Sequence, residues 1–346
     1  RQLTSTMVEV GEWVRDRGRG PRRRYETGEA MRAIRVDGYG GPEVLAEVEL
    51  ADPEPAPGEV VLRAEAVDTI YVETQIRGGW GEAFGIAPPY VPGGAAAGTV
   101  VAVGEGVAPG WLGRRAVAGP GTKGTYAELV RVPVELLVAV PDGLGPREAA
   151  ALAHDGVTAT GIAEAAGIKP GERVLILGAA GGMGTLLVQL AVAAGAVVVG
   201  AARGERKLAL VRELGAEPVD YTEPGWTERV VGPVDVLLDG VGGELGLAAF
   251  GLVRDGGRVS AHGAPSGGFA ELDLAEAEAR DIAVRGIADV QFPPEEIVRL
   301  AEAAFAGAAA GRLRPVIART FALTDAAAAH RAIEAREIPG KALLIP

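Results

Sequence analysis

The segment Val174–Leu175–Ile176–Leu177–Gly178–Ala179–Ala180–Gly181–Gly182–Met183–Gly184 constrains this chain more than any other. An apolar run ends in a glycine-rich turn, and a helical pattern, TLLVQLAVAAG, follows at once. Glycines lack the Cβ atoms that would hold an anion away from the backbone. Free amides at the positive end of the next helix then suit a pyrophosphate, and Gly184 suits a helix packed hard on its strand. A glycine triplet alone says little; strand, turn and helix in that order give it meaning. The segment predicts dinucleotide binding, with a purely structural turn as the alternative.

The rhythm of the chain agrees. Residues 31–140 read as mostly β, with IRV, EVVLRAEAV, GTVVAVG and AELVRV separated by Gly/Pro turns. From about Gly145, strand-like and helical stretches alternate: RVLILGA, MGTLLVQLAVAAG, AVVVGAA, ERKLALVRELGA, DVLLDGVGG, LAAFGLVRDGG, RVSAHGA and IAVRGI. Such alternation predicts a parallel sheet covered on both faces, with right-handed crossovers. A helix is expected over 294–310, and LRPVIARTF and KALLIP read as strands that return to the first domain. At about 150 residues per domain, 346 residues suit two domains. The expected division is an α/β chain with a β-rich domain over 31–146 and 291–346, and a nucleotide-binding domain over 147–290.

The residues after the next strand (196–199) bear on which dinucleotide binds. An NAD site places an acid near that strand's end for the ribose hydroxyls. Here the end reads Gly200–Ala201–Ala202–Arg203–Gly204–Glu205–Arg206–Lys207. The acid is missing from the strand end, and Arg203 and Lys207 are close by. A carboxylate would repel a 2′-phosphate, whereas a guanidinium pairs with it. The sequence therefore favours NADPH; a solvated helix start with Glu205 on the ribose is the alternative.

Composition removes several other functions. With no cysteine, disulfide scaffolds and thiolate metal sites are excluded, and His154, His262 and His330 are too scattered for a metal motif. The net charge is −12, and no basic stripe marks the body of the chain as a nucleic-acid binder. Residues 1–30 differ: seven arginines against five acids. That stretch reads as a disordered basic extension or as the product of an upstream translation start, with a nucleic-acid tether as the competing idea. No secretory signal pattern is visible. The longest apolar stretch, 186–202, falls short of the roughly 20 residues of a spanning helix and is split by Gly195. A cytoplasmic protein without a membrane partner is expected.

With these residues in view, the chain resembles the medium-chain dehydrogenase/reductase superfamily, and within it the zinc-free quinone oxidoreductases. The resemblance spans 31–346 through YVPGGAAAGTVVAVGEGV, GTYAELVRVP, DGVTATGIAEAAGIKPGERVLILGAAGGMG, LDGVGGE, RDGGRVSAHGAPSG and LRPVIARTFALTDAAAAHRAIEAREIPGKALL, in that order. It implies a GroES-like β domain plus a Rossmann domain, an active site in the cleft between them, and a homodimer. Residue by residue, it places Thr158 beside the nicotinamide. It puts Ala180, Gly181, Gly182 and Met183 at the pyrophosphate, and Lys207 and Tyr221 at the 2′-phosphate, where the strand-end reading already placed Arg203. Val241 and Gly242, then His262, Gly263 and Ala264, then Gly340 and Lys341 form further cofactor-binding loops.

The same resemblance argues against a metal. The GHE motif of zinc-dependent relatives reads Gly93–Gly94–Ala95, and their first cysteine falls on Ile70. Without a Lewis acid, an already electrophilic acceptor is expected: a quinone, or an enone or enoyl thioester, since conjugation spreads the developing charge. Quinone oxidoreductases commonly carry asparagine where this chain has Ile70, and Glu73 replaces an aspartate. Trp80 stands where enoyl-thioester reductases often have a tyrosine, which weighs against that activity. Tyr71 is the candidate proton donor, a core tyrosine being the alternative. Ile70, Trp80 and Tyr90, with Phe84, are candidates for the acceptor pocket, or for packing in the β domain. A protein that holds NADPH without turnover is the reading from another class.

Overall fold

The computed structural model describes residues 30–346, so the arginine-rich arm and its competing readings lie outside the described residues. The first part is mostly strand. β1 (Ala30–Val36) pairs antiparallel with β2 (Leu45–Ala51). β3 (Glu59–Asp68) pairs with both β4 (Ala96–Val103) and β6 (Leu129–Pro133). β5 (Arg115–Ala118) joins β4 to β7 (Leu137–Ala139).

One helix interrupts this part against expectation: α1, Tyr71–Gly78. Glu73 explains its start. Its carboxylate accepts the Ile70 backbone N–H at 3.2 Å, satisfying an amide at the helix end.

Two helices, α2 (Pro146–Ala153) and α3 (Asp155–Ala166), lead into the second sheet. There the chain runs β8 (Arg173–Leu177), α4 (Gly182–Ala193), β9 (Val197–Ala202), α5 (Glu205–Glu213), β10 (Glu217–Asp220), β11 (Val234–Asp239), α6 (Gly243–Phe250), β12 (Val253–Ala261), α7 (Leu274–Ala279) and β13 (Ala283–Arg285). The strand order is β10-β9-β8-β11-β12-β13, and every pairing is parallel. Alternation along β8 sets its packing. Val174 and Ile176 enter one core with Ile162, Leu186 and Phe305. Leu175 and Leu177 enter another with Val219, Trp226 and Phe250. Both faces are covered, as a nearly continuous apolar strand requires. Each fully buried Leu or Ile contributes about 1.5–3 kcal/mol.

After α8 (Pro294–Ala309), β14 (Ile317–Ala322), α9 (Ala326–Glu334) and β15 (Lys341–Ile345), the chain has returned to the first sheet. β15 pairs antiparallel with β3, and β14 adds parallel to β15. The architecture is a GroES-like β-rich sheet plus a doubly wound Rossmann sheet. α8 packs on α3, where Gly156 leaves space for Ala304.

Candidate active site

The parallel sheet reverses its winding between β8 and β11, and open α/β sheets bind ligands outside the carboxyl ends of the strands at such a point. The glycine loop sits there. Gly178 has φ +73° and donates its N–H to Ala201 O at 3.0 Å. Gly181 N–H closes the turn on Gly178 O at 2.9 Å. A Cβ on Gly184 would collide with Gly178 O, so glycine is what lets α4 start against the strand end. The first intrahelical bond is Thr185 N–H to Gly181 O, leaving the amides of Gly182, Met183 and Gly184 ahead of it without helical acceptors. Gly181 is exposed, and Gly182 and Met183 are half-buried. Gly340 N–H holds the loop from the other sheet through Ala180 O at 2.7 Å.

Beyond β9, Arg203 and Lys207 meet the turn after α9. Lys207 Nζ donates to Arg336 O at 2.7 Å, and Arg203 Nη2 to Ala335 O at 3.4 Å. Burial lowers the Lys207 pKa, and the nearby Arg203 and Arg336 charges lower it further. Tyr221 is half-buried against the same cations; burial raises its phenol, and Arg336 and Arg203 oppose that. Arg336 has φ +56°, donates to Pro265 O, and places Cζ 5.9 Å from the Tyr71 ring centroid. Sequence reading had not singled out Arg336, because no spacing rule links it to β9. The nearby acid, Asp220, is turned to the Gly204 and Thr222 amides, at 2.9 Å each.

The loops after β11 and β12 form the far wall. Asp239 Oδ1 accepts Val241 N–H at 2.9 Å and Gly242 N–H at 2.8 Å. A Cβ on Gly263 would collide with the Gly240 backbone, so the two loops touch. Ala264 is half-buried beside them. His262 is buried, with Nδ1 3.1 Å from Ser260 Oγ, and burial lowers its pKa to about 4. It is a neutral ring that spaces the loops rather than a cation.

Lys341 does not join the cationic cluster. The residue is 4% exposed, and its ammonium lies 2.6 Å from Asp68 Oδ1 and 3.0 Å from Asp155 Oδ2. Burial disfavours its charge, but Asp155 and Asp68 outweigh burial and keep the pKa above the ordinary lysine value. Asp68 Oδ2 also meets His154 Nδ1 at 3.0 Å. Thr158 follows one turn later on α3, half-buried.

On the β-domain side, Ile70, Tyr71 and Tyr90 are half-buried, while Trp80 and Phe84 are each 48% exposed on a short 3-10 helix, Trp80–Phe84. The last two therefore do not pack the β core. Tyr90 Oη is buried without a hydrogen-bond partner, and burial, then Tyr39 and Glu73, pushes its pKa up to about 12. Behind α1, Glu73 accepts from Tyr126 at 2.6 Å, and Tyr126 Oη lies 3.0 Å from His330 Nε2. Glu73 is thus a core hydrogen-bond acceptor. Among the described residues no group of three or more His, Asp or Glu side chains is arranged to hold a metal ion. Nor is any described helix long and apolar enough to cross a membrane.

Comparisons with known proteins agree in extent. Residues 56–142 match the alcohol dehydrogenase GroES-like domain family, and 214–344 match the family described as zinc-binding dehydrogenase. A quinone oxidoreductase of Pseudomonas aeruginosa is 31% identical over 328 residues, covering 90% of this chain and 99% of the relative. A 2-haloacrylate reductase of Burkholderia sp. is 31% identical over 325 residues, covering 89% and 96%. The crystal structure of Escherichia coli quinone oxidoreductase complexed with NADPH matches with a TM-score of 0.84 at 28% identity, covering 91% of this chain and all of that one.

Proposed function

The chain belongs to the quinone oxidoreductases of the medium-chain dehydrogenase/reductase superfamily, and from that premise we propose an NADPH-dependent, zinc-independent oxidoreductase. Its acceptor is a quinone or a related conjugated carbonyl. The observation that carries this reading is the convergence of Arg203, Lys207 and Arg336 beside Tyr221, one strand away from the glycine loop. Three cations meet here, two of them lowering the Lys207 pKa; such a cluster calls for an anion, and a 2′-phosphate is the anion a dinucleotide would bring there.

The residues fit the coenzyme along its length. The Ala180–Gly181–Gly182–Met183 turn would hold the pyrophosphate, with the first amides of α4 left without helical acceptors. Thr158, Val241, Gly242, His262, Gly263 and Ala264 wall the nicotinamide half. Gly340 holds the loop through its backbone contact to Ala180, and Lys341 braces the strand and helix behind it through ion pairs with Asp68 and Asp155. Bound there, NADPH supplies a hydride. Ile70, Tyr71, Trp80 and Tyr90 line the acceptor side, and the chain's main contribution is orientation in a site that excludes water. Ile70 and Gly94 occupy positions that bind zinc in zinc-dependent relatives, and a conjugated acceptor needs no Lewis acid to spread its charge. The domain division at 146/147 and 290/291 and a homodimer belong to the same proposal.

The similarity to a 2-haloacrylate reductase favours a second acceptor class, α,β-unsaturated carboxylic compounds. NADPH oxidation by the purified chain, measured with a quinone panel and with crotonyl thioesters and haloacrylates, separates the two. Tight NADPH binding with no oxidation by any acceptor would instead indicate a non-catalytic sensor. Activity that needed added zinc would overturn the metal-free mechanism.

A further inference from the structure

Reduction of a conjugated acceptor leaves an oxyanion that must take a proton, and His154 is placed to give it. Its imidazole stands at the junction of the two sheets, on the residue before α3 and one turn ahead of Thr158. Asp68, the last residue of β3, holds Nδ1 at 3.0 Å. A carboxylate only accepts, so this contact fixes the proton on Nδ1 and leaves Nε2 as the exchanging nitrogen. Nε2 makes no hydrogen bond within the described residues, and the side chain is 20% exposed. The ring lies over Gly94: a Cβ there would come within 3.0 Å of Cε1 and 3.3 Å of Nε2, so glycine makes the space that the ring uses. Gly94 and Ile70 are the positions that bind zinc in zinc-dependent relatives, and Asp68 lies two residues before Ile70.

We propose that His154 is the general acid of this site, with Asp68 as its positioning residue. The proposal rests on the function proposed above. The acceptor gains a hydride from a reduced nicotinamide dinucleotide and one proton from His154. The Nε2–H bond breaks, an O–H bond forms on the reduced acceptor, and the imidazolium becomes imidazole. A proton from solvent water restores it. Asp68 holds the ring through one carboxylate oxygen, and Lys341 pairs with the other at 2.6 Å. The charged groups facing the ring are Asp68 from β3, Asp155 from α3, Glu73 from α1 and Lys341 from β15. Tyr71, whose ring faces Arg336, is left to line the acceptor site.

The test compares wild type, His154→Asn, Gly94→Ala and Tyr71→Phe. In the unliganded chain, histidine NMR should show one imidazole, absent from His154→Asn, carrying its proton on Nδ1 when neutral. The kcat/KM for a quinone should fall with rising pH in step with the loss of that imidazole's proton. His154→Asn should lose about 10²–10⁴-fold at neutral pH and lose that limb, while Tyr71→Phe keeps it. Gly94→Ala, which crowds the ring and keeps the histidine, should shift the limb, so the proposal stays testable if His154→Asn does not fold. A limb that survives in His154→Asn, or an imidazole that stays neutral throughout, overturns the proposal. Wild type that fails to oxidise NADPH with any acceptor overturns the proposed function instead.

Discussion

The Tyr126 phenol donates to the Glu73 carboxylate at 2.6 Å, and both side chains are buried between α1 and the β core. Burial raises the Glu73 pKa from 4.5 to about 7, and Asp68 adds to the rise against the Tyr126 bond. A carboxyl whose pKa is higher folded than unfolded binds more protons in the native state. Its contribution is therefore greatest below the unfolded pKa and is lost as pH rises through about 7. Glu73→Gln keeps an acceptor for Tyr126 and removes the charge. It should be neutral near pH 4.5 and stabilising at alkaline pH by on the order of 2–3 kcal/mol. Urea unfolding at both pH values checks this; an equal effect at both would refute it.

His330 titrates in the opposite sense. Tyr126 gives its proton to Glu73, so His330 Nε2–H donates to the phenol oxygen, and Nδ1 is left buried without a partner. Burial, then Arg77, lowers the ring's pKa from 6.5 to about 3. Stability from this neutral ring is present above the unfolded pKa and is lost as pH falls from 6.5 toward 3. His330→Gln should flatten that part of the stability curve. An unchanged acid slope would contradict the assignment.

The cationic cluster sets coenzyme preference. Each charge-assisted bond to a phosphate is worth about 1.5–3 kcal/mol, so Arg336→Ala should weaken NADPH by roughly 10–100-fold. Arg203→Glu with Lys207→Glu should weaken it more. NADH, lacking the phosphate, should lose far less in either variant. Fluorescence titration with both coenzymes decides; equal losses would remove the cluster's role.

Two glycines of the phosphate loop should fail differently. Gly181 is exposed, and a Cβ on it would meet only Gly178 O, at 3.3 Å. Gly181→Val should fold normally and lose coenzyme binding, because its side chain takes pyrophosphate space. At Gly184 a Cβ collides with the Gly178 backbone, so Gly184→Ala should cost about 1–3 kcal/mol of stability. Thermal melts alongside binding distinguish them; a Gly181→Val chain that binds normally would contradict the loop's role.

Much of this fold was legible in the sequence because periodicity reports burial. β8 is apolar from Val174 to Leu177 and proved to be covered on both faces, and the strand–helix alternation became the parallel sheet. α1 was not legible: its start depends on Glu73 reaching back to Ile70 N–H, and short strands surround it. Arg336 escaped because its neighbours Lys207 and Tyr221 lie more than a hundred residues away in sequence. The Lys341 ammonium turned inward for a related reason. No local pattern links Asp68 to Lys341, and only the pairing of β15 with β3 brings the two together.

The central claim is that this chain passes hydride from a phosphorylated nicotinamide to a conjugated acceptor. Stopped-flow absorbance of the reduced coenzyme, after mixing with a quinone, tests it most directly. NADPH should disappear in step with quinone reduction, and NADH far more slowly. NADPH left unoxidised, or NADH consumed equally fast, would contradict the account.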